Sequence, residues 1–215
     1  MLRTENLTFS YDGQQELHFP DINCQQGANC LLLGQSGSGK TTLLHLLGGL
    51  RSPQEGKVII KDTDLGQLST EALDRFRGQH IGIVFQQSHF IRSLSVLQNL
   101  AIAQYLSGTP SDPQRQLHLL ERLNIAYKKD AHPETLSQGE QQRLAIARAL
   151  INKPELILAD EPTSALDDQN CEEVTQLLET QAREENATLL IVTHDNRLKS
   201  RFDQQIVLDH HLTKP

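Results

Sequence analysis

Long apolar runs are missing from this chain. No stretch approaches the ~18 consecutive apolar residues that a membrane-spanning helix needs, so the chain is not expected to cross a bilayer by itself. The opening residues, Met1-Leu2-Arg3-Thr4-Glu5-Asn6, lack the apolar core of a secretory signal, which points to a protein made and kept in the cytosol. Cysteine is scarce. Cys24, Cys30 and Cys171 are odd in number and form no C-x-x-C pair, which speaks against a disulfide framework or a thiolate zinc site and for buried free thiols. Positive charge is short as well: 20 Lys and Arg face 27 Asp and Glu, giving a net charge of −7, so a basic face for nucleic acid is not expected. Internal repeats, low-complexity tracts and long linkers are also missing.

What is there suits one domain spanning 1–215, of ordinary 37% hydrophobic content and long enough for a sizeable core. Short apolar runs predict buried strands at Cys30–Leu33, Lys57–Ile60, Ile81–Phe85, Leu156–Asp160, Thr188–Thr193 and Gln205–Leu208. Helical patterns lie between them, at Lys40–Leu50, Thr70–Arg77, Val96–Leu106, Pro113–Asn124, Gln138–Asn152, Gln169–Glu185 and Asn196–Phe202. Strands alternating with helices predict an α/β fold with a largely parallel sheet. From about Gln86 to Lys153 the pattern is helical only, which predicts a helical subdomain, about 87–152, inserted into the sheet domain. Its loops fall at Gly108-Thr109-Pro110-Ser111 and Lys128–Pro133.

Two motifs carry chemistry. Gly34-Gln35-Ser36-Gly37-Ser38-Gly39-Lys40-Thr41 fits G-x-x-x-x-G-K-[ST], between the strand Leu31-Leu32-Leu33 and a helix without proline. Its glycines let backbone N–H groups turn inward around a phosphate, and the helix N-terminus adds a favourable dipole. Lys40 is a point charge for the β- and γ-phosphates, the Thr41 hydroxyl is a Mg²⁺ ligand, and Thr42 is placed for the α-phosphate. The second motif, Leu156-Ile157-Leu158-Ala159-Asp160-Glu161, is an apolar strand ending in a carboxylate pair. Ligands of parallel sheets bind beyond the carboxyl ends of strands. Asp160 is the candidate Mg²⁺ ligand and Glu161 the candidate base for an attacking water. A solvated strand end is the structural alternative for that pair.

The order Gly34–Thr41, Gln86, Leu136-Ser137-Gln138-Gly139-Glu140, Asp160-Glu161, Asp167, His194 resembles an ATP-binding cassette (ABC) ATPase over essentially the whole chain. The resemblance implies a phosphate-loop NTPase with an N-terminal antiparallel β portion and an inserted helical subdomain. It implies ATP hydrolysis with Mg²⁺ at the interface of a homodimer, each ATP sandwiched between two copies. Leu136–Glu140 is similar to the family signature L-S-G-G-Q, with Gln138 for Gly and Glu140 for Gln, and Ser137 and Gly139 would contact ATP held by the other copy. Ser137 and Glu140 also have the spacing of a helix capping box. Gln86 resembles the glutamine that senses Mg²⁺ or the lytic water, although the neighbouring Gln87 fits by sequence alone. His194 resembles the switch histidine at the γ-phosphate. Ser164-Ala165-Leu166-Asp167 resembles the D-loop that crosses the interface, and Asp167 can equally be a helix N-cap. Tyr11, in Thr8-Phe9-Ser10-Tyr11-Asp12-Gly13, resembles the aromatic that stacks on adenine.

The site residues expected on this resemblance are Glu161, His194 and Gln86 for catalysis, and Thr41, Gln86 and Asp160 for the metal. Nucleotide binding falls to Tyr11, Gly34, Gln35, Ser36, Gly37, Ser38, Gly39, Lys40, Thr41, Thr42, Ser137, Gly139 and Asp167. Leu43–Leu50, Arg75-Phe76-Arg77 through Gln86, and Ala159–Thr163 are similar to the group serving lipoprotein release, macrolide-type export and cell division. The implied partner is a multi-spanning membrane permease, and the implied location the cytoplasmic face of the inner membrane, peripheral there and cytosolic when isolated. No nucleic acid partner is implied. Phe90, Ile91, Leu94 and Leu97 could line a groove for the permease, or could belong to the helical core. The runners-up are a small-solute importer subunit and a soluble ATP-switched regulator.

Overall fold

The chain folds around two sheets that share one apolar core. Its structure, a computed structural model, describes residues 1–11, 16–164 and 166–208. In chain order the strands are β1 (Leu2–Ser10), β2 (Glu16–His18), β3 (Asn23–Cys24), β4 (Asn29–Gly34), β5 (Glu55–Ile60), β6 (Thr63–Asp64), β7 (Ile81–Val84), β8 (Leu156–Asp160), β9 (Thr188–Thr193) and β10 (Gln204–Leu208). The helices are α1 (Lys40–Leu47), α2 (Thr70–His80), α3 (Val96–Leu106), α4 (Pro113–Arg122), α5 (Gln138–Leu150) and α6 (Asp168–Glu184).

The larger body is a parallel sheet in the order β10-β4-β9-β8-β7. Its central strands β4, β9 and β8 are buried on both faces, so they read as continuous apolar runs, whereas the edge strand β10 is half-exposed. Alternate residues serve two cores. Leu31, Leu33, Ile157, Leu189 and Ile191 enter the core shared with residues of α3, α4, α5 and α6. Cys30, Leu32, Leu158, Leu190 and Val192 enter the core shared with α1 and the other sheet. Between β7 and β8 the chain is helical, with α3, α4, α5 and two short 3-10 turns.

The second sheet is antiparallel, in the order β2-β1-β5-β6 with β3 also paired to β1. Among the apolar runs read from the sequence, only β5 belongs to it. β1 escapes a search for apolar runs because polar residues (Arg3, Thr4, Glu5, Asn6, Thr8) interrupt its apolar ones, and it carries a bulge between Glu5 and Thr8.

Helix ends differ from the sequence-based ranges for identifiable reasons. α1 stops at Leu47, short of the predicted Leu50, because Gly49 takes a left-handed conformation (φ 63°). Leu50 N–H then donates to His45 O and Gly49 N–H to Leu46 O, the pattern of a glycine C-cap. Asn124 (φ 54°) ends α4 and Asn186 (φ 51°) follows α6 in the same way. α2 runs on to His80, past the predicted Arg77, and α5 ends at Leu150. Asn196–Arg201 is a 3-10 helix, tighter than the α-helix its pattern suggests. β7 ends at Val84, so Gln86 stands two residues beyond the strand. Among the described residues no helix is long and apolar enough to cross a membrane.

Candidate functional site

Four neighbouring parallel strands end on one side of the sheet, and each delivers part of one pocket. β4 runs into the glycine loop, β9 into His194, β8 into Glu161, and β7 into the segment with Gln86. This is where the carboxyl ends of an open parallel sheet leave a crevice for a ligand. The pocket encloses about 630 Å³ and is lined by Tyr11, Leu17, Ser36, Gly37, Gly39, Lys40, Thr41, Thr42, Gln86, Glu161 and His194.

The glycine loop is shaped for an anion. α2, α3, α4, α5 and α6 each begin on a capping side chain: Ser69, Ser95, Asp112, Ser137 and Asp167. α1 begins at Gly39 with no side-chain cap, so its first N–H groups are left for a ligand. Gly37 (φ 80°) and Gly39 (φ 90°) take left-handed backbone that other residues rarely adopt. Gly34, Gln35 and Ser38 are not among the residues lining the pocket; a side chain at 34 would meet Ser38 Oγ at 2.5 Å. Lys40, only 7% exposed, donates to Gly34 O and Gln35 O, both at 3.0 Å, and stands 3.5 Å from Glu161 Oε1.

Glu161 is fixed from several sides. It is 8% exposed. His194 Nδ1 lies 2.8 Å from Oε1, while the Thr193 hydroxyl and the His194 backbone N–H donate to Oε2 at 2.7 and 3.3 Å. Its backbone is left-handed (φ 47°), a strained conformation for a residue with a side chain. Burial pushes its carboxyl pKa up, but the hydrogen bonds from His194 and Thr193, with the histidine's charge, outweigh burial and hold it below the usual range. Asp160 goes the other way. Burial raises it, the Thr41 hydrogen bond opposes this, and the charge of Glu161 adds to the rise.

Asp160 also carries the observation that bears on a metal. Its Oδ2 accepts from the Thr41 hydroxyl at 3.0 Å, while its Oδ1 is buried with no partner among the described residues. A hydroxyl and a carboxylate with a spare oxygen, beside a phosphate loop, are the hard donors that Mg²⁺ takes when substrate phosphates complete its shell.

Tyr11 also lines the pocket. Its hydroxyl is 2.8 Å from Thr42 Oγ1, its ring meets Phe9 edge-on at 4.9 Å, and the Arg51 guanidinium stands 4.8 Å from the ring centre. Asp12 and Gly13, which follow it, lie outside the described residues, as does Ala165 in the predicted D-loop.

Ser137, Gly139 and Asp167 do not reach this pocket. Ser137 caps α5, and its capping box with Glu140 is present: Ser137 N–H donates to Glu140 Oε2 at 2.7 Å and Glu140 N–H to Ser137 Oγ at 3.3 Å. The backbone N–H of Ser137 and the Tyr127 hydroxyl hold the Glu140 carboxyl down at about 2. Ser137, Gln138 and Gly139 are exposed, with open space where a Gly139 side chain would be. Asp167 caps α6, accepting from Asn170 N–H at 2.9 Å. Of the four groove candidates, Phe90 and Leu97 pack on the helical core, Ile91 is exposed and Leu94 is half-buried.

Sequence reasoning missed Leu17, Thr193, Arg51 and Tyr127. A hydroxyl at the end of an apolar strand, just before His194, was a readable signal for Thr193; the other three contacts had none.

The family model described as ABC transporter matches residues 17–164. A lipoprotein-releasing system ATP-binding protein, LolD, from Shewanella sp. (strain MR-4) is 39% identical, covering 97% of this chain and 93% of its own. LolD of Bacteroides fragilis (strain YCH46) is 38% identical, with 96% of each chain covered. Among solved structures, the dimeric post-hydrolysis state of the ATP-binding cassette MJ0796 bound to ADP and Pi superposes with a TM-score of 0.87 at 34% identity, covering 98% of this chain and 95% of that one. The architecture is the phosphate-loop NTPase fold of these cassettes, as the sequence implied.

Proposed function

The chain belongs to the ABC transporter family as an ATP-hydrolysing subunit, and on that premise we propose that two copies close around two ATP to drive a multi-spanning membrane partner of the lipoprotein-release type. One observation carries this reading. The pocket holds the phosphate loop, Glu161 and His194 but not Ser137 or Gly139, which lie exposed elsewhere with a helix N-terminus behind them. A second copy can bring that N-terminus, a natural anion site, to the γ-phosphate. ATP then touches both copies and favours the closed state.

In each site Lys40 would exchange the carbonyls of Gly34 and Gln35 for the β- and γ-phosphates. Thr41 and Asp160 would hold Mg²⁺, which when bound neutralises charge on the phosphate oxygens. Gln86 would lie against the metal or the water, and Tyr11 under the adenine. Glu161, kept charged by His194 and Thr193, takes a proton from water as its oxygen bonds to the γ-phosphorus and the bond to the β-γ bridging oxygen breaks. His194 would contact the γ-phosphate. Loss of the γ-phosphate removes the bridge and the copies separate. We place residues of about 87–152 in a helical subdomain, with the stretch Gln86–Leu100 receiving the permease. Ile91 and Leu94 are the apolar side chains left for that contact.

The test is co-purification. Glu161→Gln, expressed in the native host with ATP, should bring a multi-spanning protein from solubilised membranes. Recovery of a homodimer with no membrane protein would replace this reading with a soluble ATP-switched regulator.

A further inference from the structure

Arg197 makes an unusual number of contacts for a half-exposed surface residue. Nε lies 2.9 and 3.0 Å from the two carboxylate oxygens of Asp195, and Nη2 lies 2.6 Å from Asp195 Oδ2. Nη1 and Nη2 both donate to Leu166 O at 3.3 Å, and Nη1 reaches Asp168 Oδ1 at 2.6 Å. A further bond runs beside it, from the buried Thr163 hydroxyl to Asp195 Oδ2 at 3.2 Å. The loop after β9, which carries His194, is thereby tied to the loop after β8, which carries the segment up to Asp167.

Local turn formation accounts for part of this. Asp195 caps the 3-10 turn by accepting from Arg197 N–H at 3.0 Å. It does not account for the bonds to Leu166 and Asp168, some 30 residues away in sequence. A planar guanidinium can serve acceptors on both sides at once, whereas an ammonium on a flexible stem cannot hold that geometry.

We propose that Arg197 is a positioning residue that couples the His194 loop to the Leu166–Asp168 segment, so that γ-phosphate at His194 sets the shape this segment offers to a second copy. The inference rests on the two-copy reading above. Arg197 touches neither the pocket nor the reacting atoms. It acts through Asp195, which directly follows His194 in the chain, and through the backbone of Leu166.

The test uses Arg197→Ala and Arg197→Lys in the Glu161→Gln protein, with ATP-driven dimerisation followed by light scattering and ADP affinity by calorimetry. Removing the clasp should raise the ATP concentration for half-dimerisation about tenfold, while ADP affinity stays within about twofold and lysine does not rescue. Hydrogen exchange in the peptide 163–171 gives a readout on single copies, recorded below the dimerising concentration. ATP should slow it with Arg197 present and leave it unchanged in Arg197→Ala. Equal dimerisation with and without Arg197, or ADP affinity falling in step with dimerisation, would overturn the clasp. An unclasped protein whose 163–171 exchange still responds to ATP would do the same. Failure of Glu161→Gln itself to dimerise would strike the two-copy reading, and the single-copy exchange would then still decide the clasp.

Discussion

The Nδ1 nitrogen of His194 stands 2.8 Å from Oε1 of Glu161, joining the proposed γ-phosphate contact to the proposed base. The other Glu161 oxygen accepts from Thr193 at 2.7 Å. Each of these bonds favours the charged carboxylate. A group whose pKa is lowered in this way is a working base at every pH above its lowered value. Thr193→Val keeps the shape of the side chain and removes one donor, so the Glu161 pKa rises. The acid limb of the turnover-pH profile should move to higher pH. The same bond also adds stability that is present in full at neutral pH and is lost as pH falls through the lowered value. Thermal melts of the variant should therefore fall below the parent by more at pH 7 than in acid, where only the lost acceptor for the Asp195 N–H, at 3.0 Å, still counts.

Asp160 gives the opposite sign. Its carboxyl pKa is raised by burial, so the charged form costs stability above that value and the cost vanishes as pH falls through it. Asp160→Asn removes the charge and keeps an acceptor for Thr41. In metal-free buffer at pH 7 the melting temperature should rise, by about 2 °C for a gain of ~1 kcal/mol. Added Mg²⁺ and ATP should stabilise the parent strongly and the variant far less. Equal gains from Mg²⁺ and ATP in both proteins would remove Asp160 from the metal site.

Ser137 serves as a cap in the single copy, and its phosphate role can be separated from that. Aspartate caps a helix as well as serine does. Ser137→Asp should leave the melting temperature within about 1 °C of the parent, since the cap persists. Its charge would face the γ-phosphate of the other copy, so ATPase activity and ATP-driven dimerisation should collapse. Normal turnover in this variant would leave Ser137 as a cap only.

Tyr11 is tied to Thr42 and stacked with Arg51, so its ring is oriented before a base arrives. Tyr11→Ala should weaken ATP binding about tenfold, in line with ~1.4 kcal/mol for stacking on an aromatic. Binding of tripolyphosphate, which has no base, should not change. Parallel losses for both ligands would mean that Tyr11 supports the loop and not the base.

The parallel sheet and the pocket's main chemistry were legible because its central strands β4, β8 and β9 are buried apolar runs that lead into polar or glycine-rich segments on one side of the sheet. Gly34–Thr41, Asp160-Glu161 and His194 could be read in this way. The antiparallel strands β1, β2, β3 and β6 could not, because a short or half-exposed strand leaves no run of apolar residues. Three helix ends were misplaced where a left-handed Gly or Asn closes the last turn, since such a cap depends on backbone conformation. The support of Glu140 by Tyr127 and of the two loops by Arg197 joins residues distant in sequence, and no periodicity encodes those bonds. The capping boxes at Ser95 and Ser137 were within reach of local spacing, and only the second was read.

In the proposed mechanism ATP joins two copies across a site that each completes for the other. Light scattering on Glu161→Gln with Mg²⁺ measures it directly. The mass should double on adding ATP and remain that of one chain with ADP, with steady-state hydrolysis abolished. A mass that stays at one chain in saturating ATP, or turnover at the parent's rate, would contradict the account.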